Sequence, residues 1–285
     1  MEKVNALIVF CEGPHDVAFC RLVFKHCFNI RKVEWKFSEY PAPLDKQFQT
    51  ILQSHALMDL ELDMAHKFFL PDKTLFDMNK KLLVLLFNTG GKTKTENPKK
   101  FLSDFIDFIE DTKTFLYGET NKRIDNYKFL FTYDADENKP SDIFMKCKKD
   151  YSIINNEDFI SEDFMINPNY NHGAHSMDKK FNIYVFSKPD CLGTLEDILL
   201  PMFEECESKI MSKTTTFIDD CFKWEDSKIS QIADRNKAII CIAGQNKKPG
   251  SSLNVIIDQT KLISEEVFKN NEDVKRFAEF IKEII

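Results

Sequence analysis

The segment Ala6–Phe24, "ALIVFCEGPHDVAFCRLVF", decides how the rest of the chain is read. It opens with an unbroken apolar run, Ala6–Cys11, which predicts a short strand buried on both faces, because a half-exposed strand would alternate. The run then breaks at Glu12-Gly13-Pro14. Pro14 suits the first turn of a helix, and Val17, Phe19, Cys20, Leu22, Val23, Phe24, Cys27 and Phe28 supply a broad apolar helical face. A buried strand thus ends in a carboxylate, with a second acid, Asp16, one turn into the next helix.

The same grammar repeats. "KLLVLLF" (Lys81–Phe87) reads as a buried strand followed by "NTGGKTKTENPKK", and helical pattern resumes over Lys100–Glu110. "YKFLFT" (Tyr127–Thr132) is a third strand, followed by "YDADENKPSD". "NIYVF" (Asn182–Phe186) is a fourth, followed by "SKPDCLGTLEDILLPMFEEC". Lys32–Phe37 reads as a weaker strand, and Leu44–Met64 as a helix with Phe48, Ile51, Leu52, His55 and Leu57 on one side. Helices are expected from Glu196 to about Cys221, from Asp234, and over Asp273–Ile285. Short apolar strands alternating with helices predict an α/β fold: a mostly parallel, Rossmann-like sheet with helices on both faces. The expected organisation is a catalytic domain over residues 1–200. It carries a helical insertion at about 44–78 and a polar surface excursion over Lys146–Lys180. A helical region, 201–285, packs on the same domain.

Bulk properties bound the function. The 285 residues suffice for a sizeable core. A net charge of −7 argues against a general nucleic-acid coat protein, though not against a basic groove around an acidic site. None of the eight cysteines forms a C-x-x-C pair, which argues against a zinc ribbon and for a reduced, cytoplasmic protein. Charges at Glu2, Lys3 and Glu12 bracket the first apolar run, so it is not expected to be a secretory leader. No stretch reaches the length of a membrane span. The 27 Phe are expected mostly in the core.

Ligands of open α/β sheets bind beyond the C-terminal strand ends. There the sequence places Glu12 and Asp16, Asp134 and Asp136, and Glu196 and Asp197. Clustered carboxylates repel unless a cation neutralises them, and an all-oxygen set suits Mg²⁺ or Mn²⁺. Gly13 would let a phosphodiester approach Glu12.

The pair "LIVFCEGPHD" and, much later, "FLFTYDADE" resembles the Toprim domain, with its Glu-Gly after the first strand and Asp-x-Asp after a later one. The resemblance covers roughly residues 4–200. The family includes topoisomerases, bacterial primases, RNA-maturation nucleases and the OLD (overcoming lysogenization defect) nucleases. The E-G-x-x-D spacing favours the OLD-like and RNA-maturation branches. "KPDCLGTLEDILLP" and "KAIICIAGQNKKPGSS" resemble segments of stand-alone Toprim-like proteins. The resemblance implies Glu12 as metal ligand or general base, Asp134 and Asp136 as metal ligands, Asp16 and Glu196 (less directly Asp197) at a second ion, and Lys237 on a phosphate. It implies a metal-dependent nuclease acting on DNA or RNA, in phage defence or genome maintenance. It leaves room for a separate ATPase subunit and a homo-oligomer. No fused ATPase, zinc module or assignable nucleophilic tyrosine is apparent. The alternatives are a Toprim-like binding or scaffold module that cuts nothing, and a phosphoryl-transfer enzyme on a small substrate.

Other features have plainer readings. "NTGGKTKT" fails as a phosphate loop because Leu86 stands where that motif needs glycine; a Gly-Gly turn is expected, with Lys92, Lys94, Lys99 and Lys100 as a basic rim that could steer phosphate. Thr194 with Glu196 and Asp197 also reads as a helix start. His172 and His175 are expected in a solvated loop rather than on a metal, and His15 on a helix surface.

Overall fold

The computed structural model describes residues 2–56, 68–114, 121–154, 157–160, 164–167, 170–188, 192–224, 228–259 and 261–285. Four parallel strands form its centre: β1 (Glu2–Cys11), β4 (Leu82–Asn88), β5 (Lys122–Asp134) and β10 (Phe181–Phe186). Antiparallel strands extend both edges. On one side lie β2 (Arg31–Lys32) and β3 (Lys73–Asp77), on the other β8 (Met165–Asn167) and β9 (Tyr170–His175). The order is β2-β3-β4-β1-β5-β10-β9-β8. A separate two-stranded ribbon joins β6 (Ile153–Ile154) and β7 (Glu157–Asp158).

The period-2 geometry of β1 explains its all-apolar sequence. Leu7, Val9 and Cys11 point into one core; Val4, Ala6, Ile8 and Phe10 point into the other. The first core is covered by α1 (Pro14–Phe28), α5 (Leu195–Cys221), α6 (Ile229–Gln245), α7 (Leu253–Gln259), α8 (Glu265–Asn270) and α9 (Glu272–Ile284). The second is covered by α2 (Leu44–Ala56), α3 (Glu96–Thr114) and α4 (Pro140–Tyr151). Phenylalanine fills the second core. Phe10 stacks on Phe131 at 5.2 Å and meets the edge of Phe101 at 6.0 Å between ring centroids. The C-terminal helices share one continuous core with β1 and α1, from Leu7 to Ile284, and α5 runs unbroken in sequence across residue 200. It bends at Glu207, whose backbone is non-helical (φ −134°, ψ 41°).

Several expectations are corrected. The strand expected over Lys32–Phe37 is two residues long, Arg31–Lys32, and Phe37–Glu39 is a 3₁₀ turn. In the insertion expected to be helical over about 44–78, Leu44–Ala56 is helix but Lys73–Asp77 is strand β3; Leu57–Met64 lies outside the described residues. The stretch Lys146–Lys180 is not merely a surface excursion, because β8 and β9 complete the sheet. His172 and His175 therefore sit buried on β9, not in a solvated loop; the His172 Nδ1 lies 3.2 Å from the Ser187 hydroxyl. Gly173 between them is fixed by packing: a Cβ there would stand 2.6 Å from the Phe280 ring. Among the described residues, no helix is long and apolar enough to cross a membrane.

Candidate active site

Counted in chain order, the four parallel strands are arranged second-first-third-fourth. This is a doubly wound pattern whose order reverses between β1 and β5. The two strand ends at that switch point carry Glu12 and Asp134. β1 and β5 run in register from Asn5↔Asn126 to Cys11↔Thr132, so the residues beyond them arrive side by side. The backbone N–H of Asp134 donates to Glu12 Oε2 at 3.1 Å, and one oxygen of Asp134 accepts from Leu195 N–H at 2.8 Å. Asp134 is thereby fixed to both β1 and the start of α5.

Each strand end contributes differently. After β4, Thr89 N–H donates to the Cys11 carbonyl (2.9 Å) and Gly91 N–H to the Glu12 carbonyl (2.8 Å). Gly90 (φ +78°) and Gly91 (φ +123°) occupy left-handed backbone that costs glycine little. The expected Gly-Gly turn thus has a purpose: it folds Lys92 back over the acids. Lys92 Nζ lies 2.5 Å from Asp136 Oδ2 and 3.8 Å from Glu12 Oε2. After β5, Asp136 adopts φ +51° and exchanges two backbone hydrogen bonds with Gly193 (2.8 and 2.9 Å). That bridge ties the Asp-x-Asp turn to the loop leading into α5, which delivers Glu196.

The two helix starts use one device. Asp16, third residue of α1, accepts the Gly13 N–H at 2.9 Å; Asp197, third residue of α5, accepts the Thr194 N–H at 2.9 Å. The E-G-x-x-D spacing is therefore a helix cap as well as an acidic pair. The two acids then diverge. Asp197 spends its other oxygen on Asn236 Nδ2 (3.1 Å) and Lys188 Nζ (3.1 Å), so it ties α5 to α6 and to the end of β10. The second oxygen of Asp16 is buried and has no hydrogen-bond partner among the described residues, and the same holds for Glu196 Oε2.

The electrostatics follow from burial and crowding. Burial pushes Glu12 up, against the pull of Lys92 and the Asp134 N–H. Burial, then the neighbouring Cys11, Glu12 and Glu196, holds Asp16 well above the usual carboxylate range. Burial, then Asp16, Glu196 and Glu12, does the same to Asp134. Glu196 goes the other way: burial raises it, but the His15 hydrogen bond (3.1 Å) and the charge of Lys237 outweigh burial. Lys237, on α6, is held above the ordinary lysine range: burial pulls it down, and Glu196 and Asp134 more than compensate.

Of the residues singled out from sequence, Glu12, Asp16, Asp134, Asp136, Glu196, Lys92 and Lys237 come together. Gly13 caps α1 with extended backbone, and a Cβ there would stand 3.3 Å from Asp16 Oδ2. Lys94 is exposed and lies back across Gly90. Lys99 sits 5.9 Å from the centre of the Tyr151 ring, over that ring. Three participants lay outside the sequence assignment. His15 pairs with Glu196 rather than standing on a bare helix surface, and Lys188 and Asn236 hold Asp197. Asn236 directly precedes Lys237, and Lys188 opens the "KPDCLG" segment, so position in a motif was the available signal.

No group of three or more His, Cys, Asp or Glu among the described residues forms a ready metal cage. Mg²⁺ and Mn²⁺ do not need one, since such ions take one or two protein carboxylates and keep waters. The donor set is all oxygen, and two of its buried oxygens, Asp16 Oδ1 and Glu196 Oε2, lack a hydrogen-bond partner among the described residues, so the residues fit a hard divalent cation.

No family model matches the chain, and no curated protein matches it. Among solved structures it is similar to the crystal structure of a hypothetical protein from Pyrococcus horikoshii OT3, at 13% identity and a TM-score of 0.46, over 100% of this chain and 95% of that one. A likeness this distant carries no functional argument.

Proposed function

We propose that the protein is a Toprim-type phosphodiesterase that uses Mg²⁺ or Mn²⁺ to hydrolyse DNA or RNA. One observation carries the proposal: acids from three separate chain segments, Glu12/Asp16, Asp134/Asp136 and Glu196, gather at the switch point of a doubly wound sheet, rimmed by Lys92 and Lys237. Six acids, Asp197 included, crowd against Lys92, Lys188 and Lys237; burial and mutual repulsion disfavour the ionised forms of Glu12, Asp16 and Asp134, and a cation would relieve that cost.

Glu12 and Asp134, with Asp136, would hold one ion, and Asp16 and Glu196 a second. A bound ion would supply Lewis acidity at the phosphoryl oxygen and an activated water. The chain's own groups do the rest. Lys237 keeps its proton and offers fixed positive charge to a non-bridging phosphate oxygen. Lys92 is poised to exchange Asp136 for phosphate. The His15–Glu196 pair orients a carboxylate that otherwise has one bare oxygen. By the OLD-like resemblance we extend the proposal to a role in phage defence or genome maintenance, with room for a separate ATPase subunit.

The test is cleavage of labelled single- and double-stranded DNA and RNA with Mn²⁺ or Mg²⁺. Cleavage lost in Glu12→Gln, with circular dichroism unchanged, supports the proposal. No cleavage of any polymer, or equal cleavage by both proteins, refutes it.

One observation favours a second reading. Lys92 already sits between Asp136 and Glu12, where a cation would go. A binding module whose acids are permanently neutralised by lysine would have that contact. Partner binding that is independent of metal, without cleavage, would identify it.

A further inference from the structure

Beside the acids lies a cavity of about 300 Å³, lined by Lys92, Thr93, Tyr133, Asn138, Asp142, Ile143, Lys146, Cys147 and Asp150. It lies between α4, the turn after β5 and the Gly-Gly loop. Its size falls at the small end of the range for small-molecule sites, which start at about 300 Å³.

The cavity touches the acidic centre through Lys92. Lys92 lines it and at the same time lies 2.5 Å from Asp136 Oδ2. A molecule with its phosphate at the acids would therefore extend the neighbouring group into this space. The lining says what that group is. Tyr133, Ile143 and Cys147 are buried and give an apolar floor. The rim is polar and mixed: Asn138, Asp142 and Thr93 are exposed, and Lys146 bonds Asp150 (2.8 Å) and the Lys92 carbonyl (3.3 Å). The Asn138 amide, with two donors and an acceptor, has no hydrogen-bond partner among the described residues. Lys92 and Lys146 balance Asp142 and Asp150 in the lining, so the cavity holds no excess positive charge for a second phosphate. A flat heterocycle with donor and acceptor edges meets an apolar floor, an idle amide and carboxylates that accept amino groups.

Resting on the nuclease reading, we propose that this cavity receives the base of the nucleotide next to the scissile phosphate, so that the substrate is a single strand or an extruded base. A base stacked and paired in a duplex cannot enter; extruding it costs a few kcal/mol.

The experiment measures binding of ribo- and deoxyribonucleoside 5′-monophosphates and of inorganic phosphate to the full chain by calorimetry, with and without Mn²⁺. The proteins are wild type, Thr93→Trp, which blocks the exposed rim, and Asn138→Ala, which removes the amide. The expected result is a monophosphate bound at least about tenfold more tightly than inorganic phosphate. That gain is lost in Thr93→Trp and reduced in Asn138→Ala, and single strands are cleaved at least about tenfold faster than duplexes. Equal affinity for monophosphate and phosphate, or a gain that survives in both variants, overturns the pocket. The two readings fail separately. Metal-dependent cleavage without the base gain removes the pocket and leaves the nuclease. A base gain sensitive to both variants, in a protein that neither binds Mn²⁺ nor cleaves, leaves the pocket and removes the nuclease.

Discussion

The Asp134 N–H donates to the Glu12 carboxylate at 3.1 Å, joining two residues 122 positions apart in sequence. That bond spans the switch point of the sheet, and it anchors the Glu12 side chain to the backbone of β5. A site built on strand ends is held more rigidly than one built on loops alone.

Glu12 and Asp134 should therefore act as a unit toward metal. In Asp134→Asn/Asp136→Asn, the amide oxygen can still accept from Leu195 N–H, so the fold is retained while two charges go. Mn²⁺ affinity by calorimetry is expected to fall by at least about tenfold, or about 1.4 kcal/mol, with circular dichroism unchanged. Equal affinity in variant and wild type would remove the acids from the metal site.

Lys92 competes with a cation for Asp136 and Glu12. In Lys92→Met the competitor is gone, so Mn²⁺ should bind a few-fold more tightly. Cleavage should nevertheless slow, because a phosphate contact is lost, with the loss mostly in KM. Weaker metal binding in this variant would show that the lysine supports the site instead.

Asp16 gives a pH test. Burial, then Cys11, Glu12 and Glu196, raise its pKa on folding, so the folded chain binds more protons than the unfolded one. Its charge therefore costs stability increasingly as pH rises from about 4, the unfolded value, through the raised folded value. Asp16→Asn removes that cost and keeps an oxygen for the Gly13 N–H. In chelator, the variant's Tm minus that of wild type should increase between about pH 5 and about pH 8. Added Mn²⁺ should favour the wild type. A difference independent of pH would mean that Asp16 does not titrate abnormally.

Gly193 holds φ +103°, and a Cβ there would stand 2.5 Å from Asp197 Oδ2. Gly193→Ala should lower stability by about 1–3 kcal/mol through backbone strain alone. It should also shift Asp197 from its contacts with Asn236 and Lys188. Thermal unfolding measures the first effect, and loss of cleavage at temperatures where the variant is folded measures the second. An unchanged Tm would show that the loop relaxes freely.

Much of the architecture was legible because it is written in local patterns. Buried parallel strands need continuous apolar runs, and "ALIVFC", "YKFLFT", "NIYVF" and all of "KLLVLLF" after Lys81 lie in such strands. The edge strands were not legible. Lys73–Asp77 is short and mixed, and Tyr170–His175 is polar, so neither reads as apolar or alternating. Their pairing comes from the neighbour strand's exposed hydrogen-bonding edge, which no local window contains. The burial of His172 and His175 follows from that same pairing and from the cover of α9 through Phe280.

By itself the sequence determined which side chains are acidic, which strands they follow, and that each acid stands at a turn where the chain leaves the sheet. Only the tertiary structure decided which strands are neighbours. The order β4-β1-β5-β10 brings Glu12 beside Asp134, folds Lys92 onto Glu12 and Asp136, and swings Lys237 in from a helix more than a hundred residues away. It also separated Asp16, which has a bare oxygen among the described residues, from Asp197, whose oxygens are spent on Thr194, Asn236 and Lys188, although both sit third in their helices. The reason is physical: helix caps and buried runs depend on residues a few positions apart, whereas convergence of charge depends on strand order, which is set by the packing of the whole sheet.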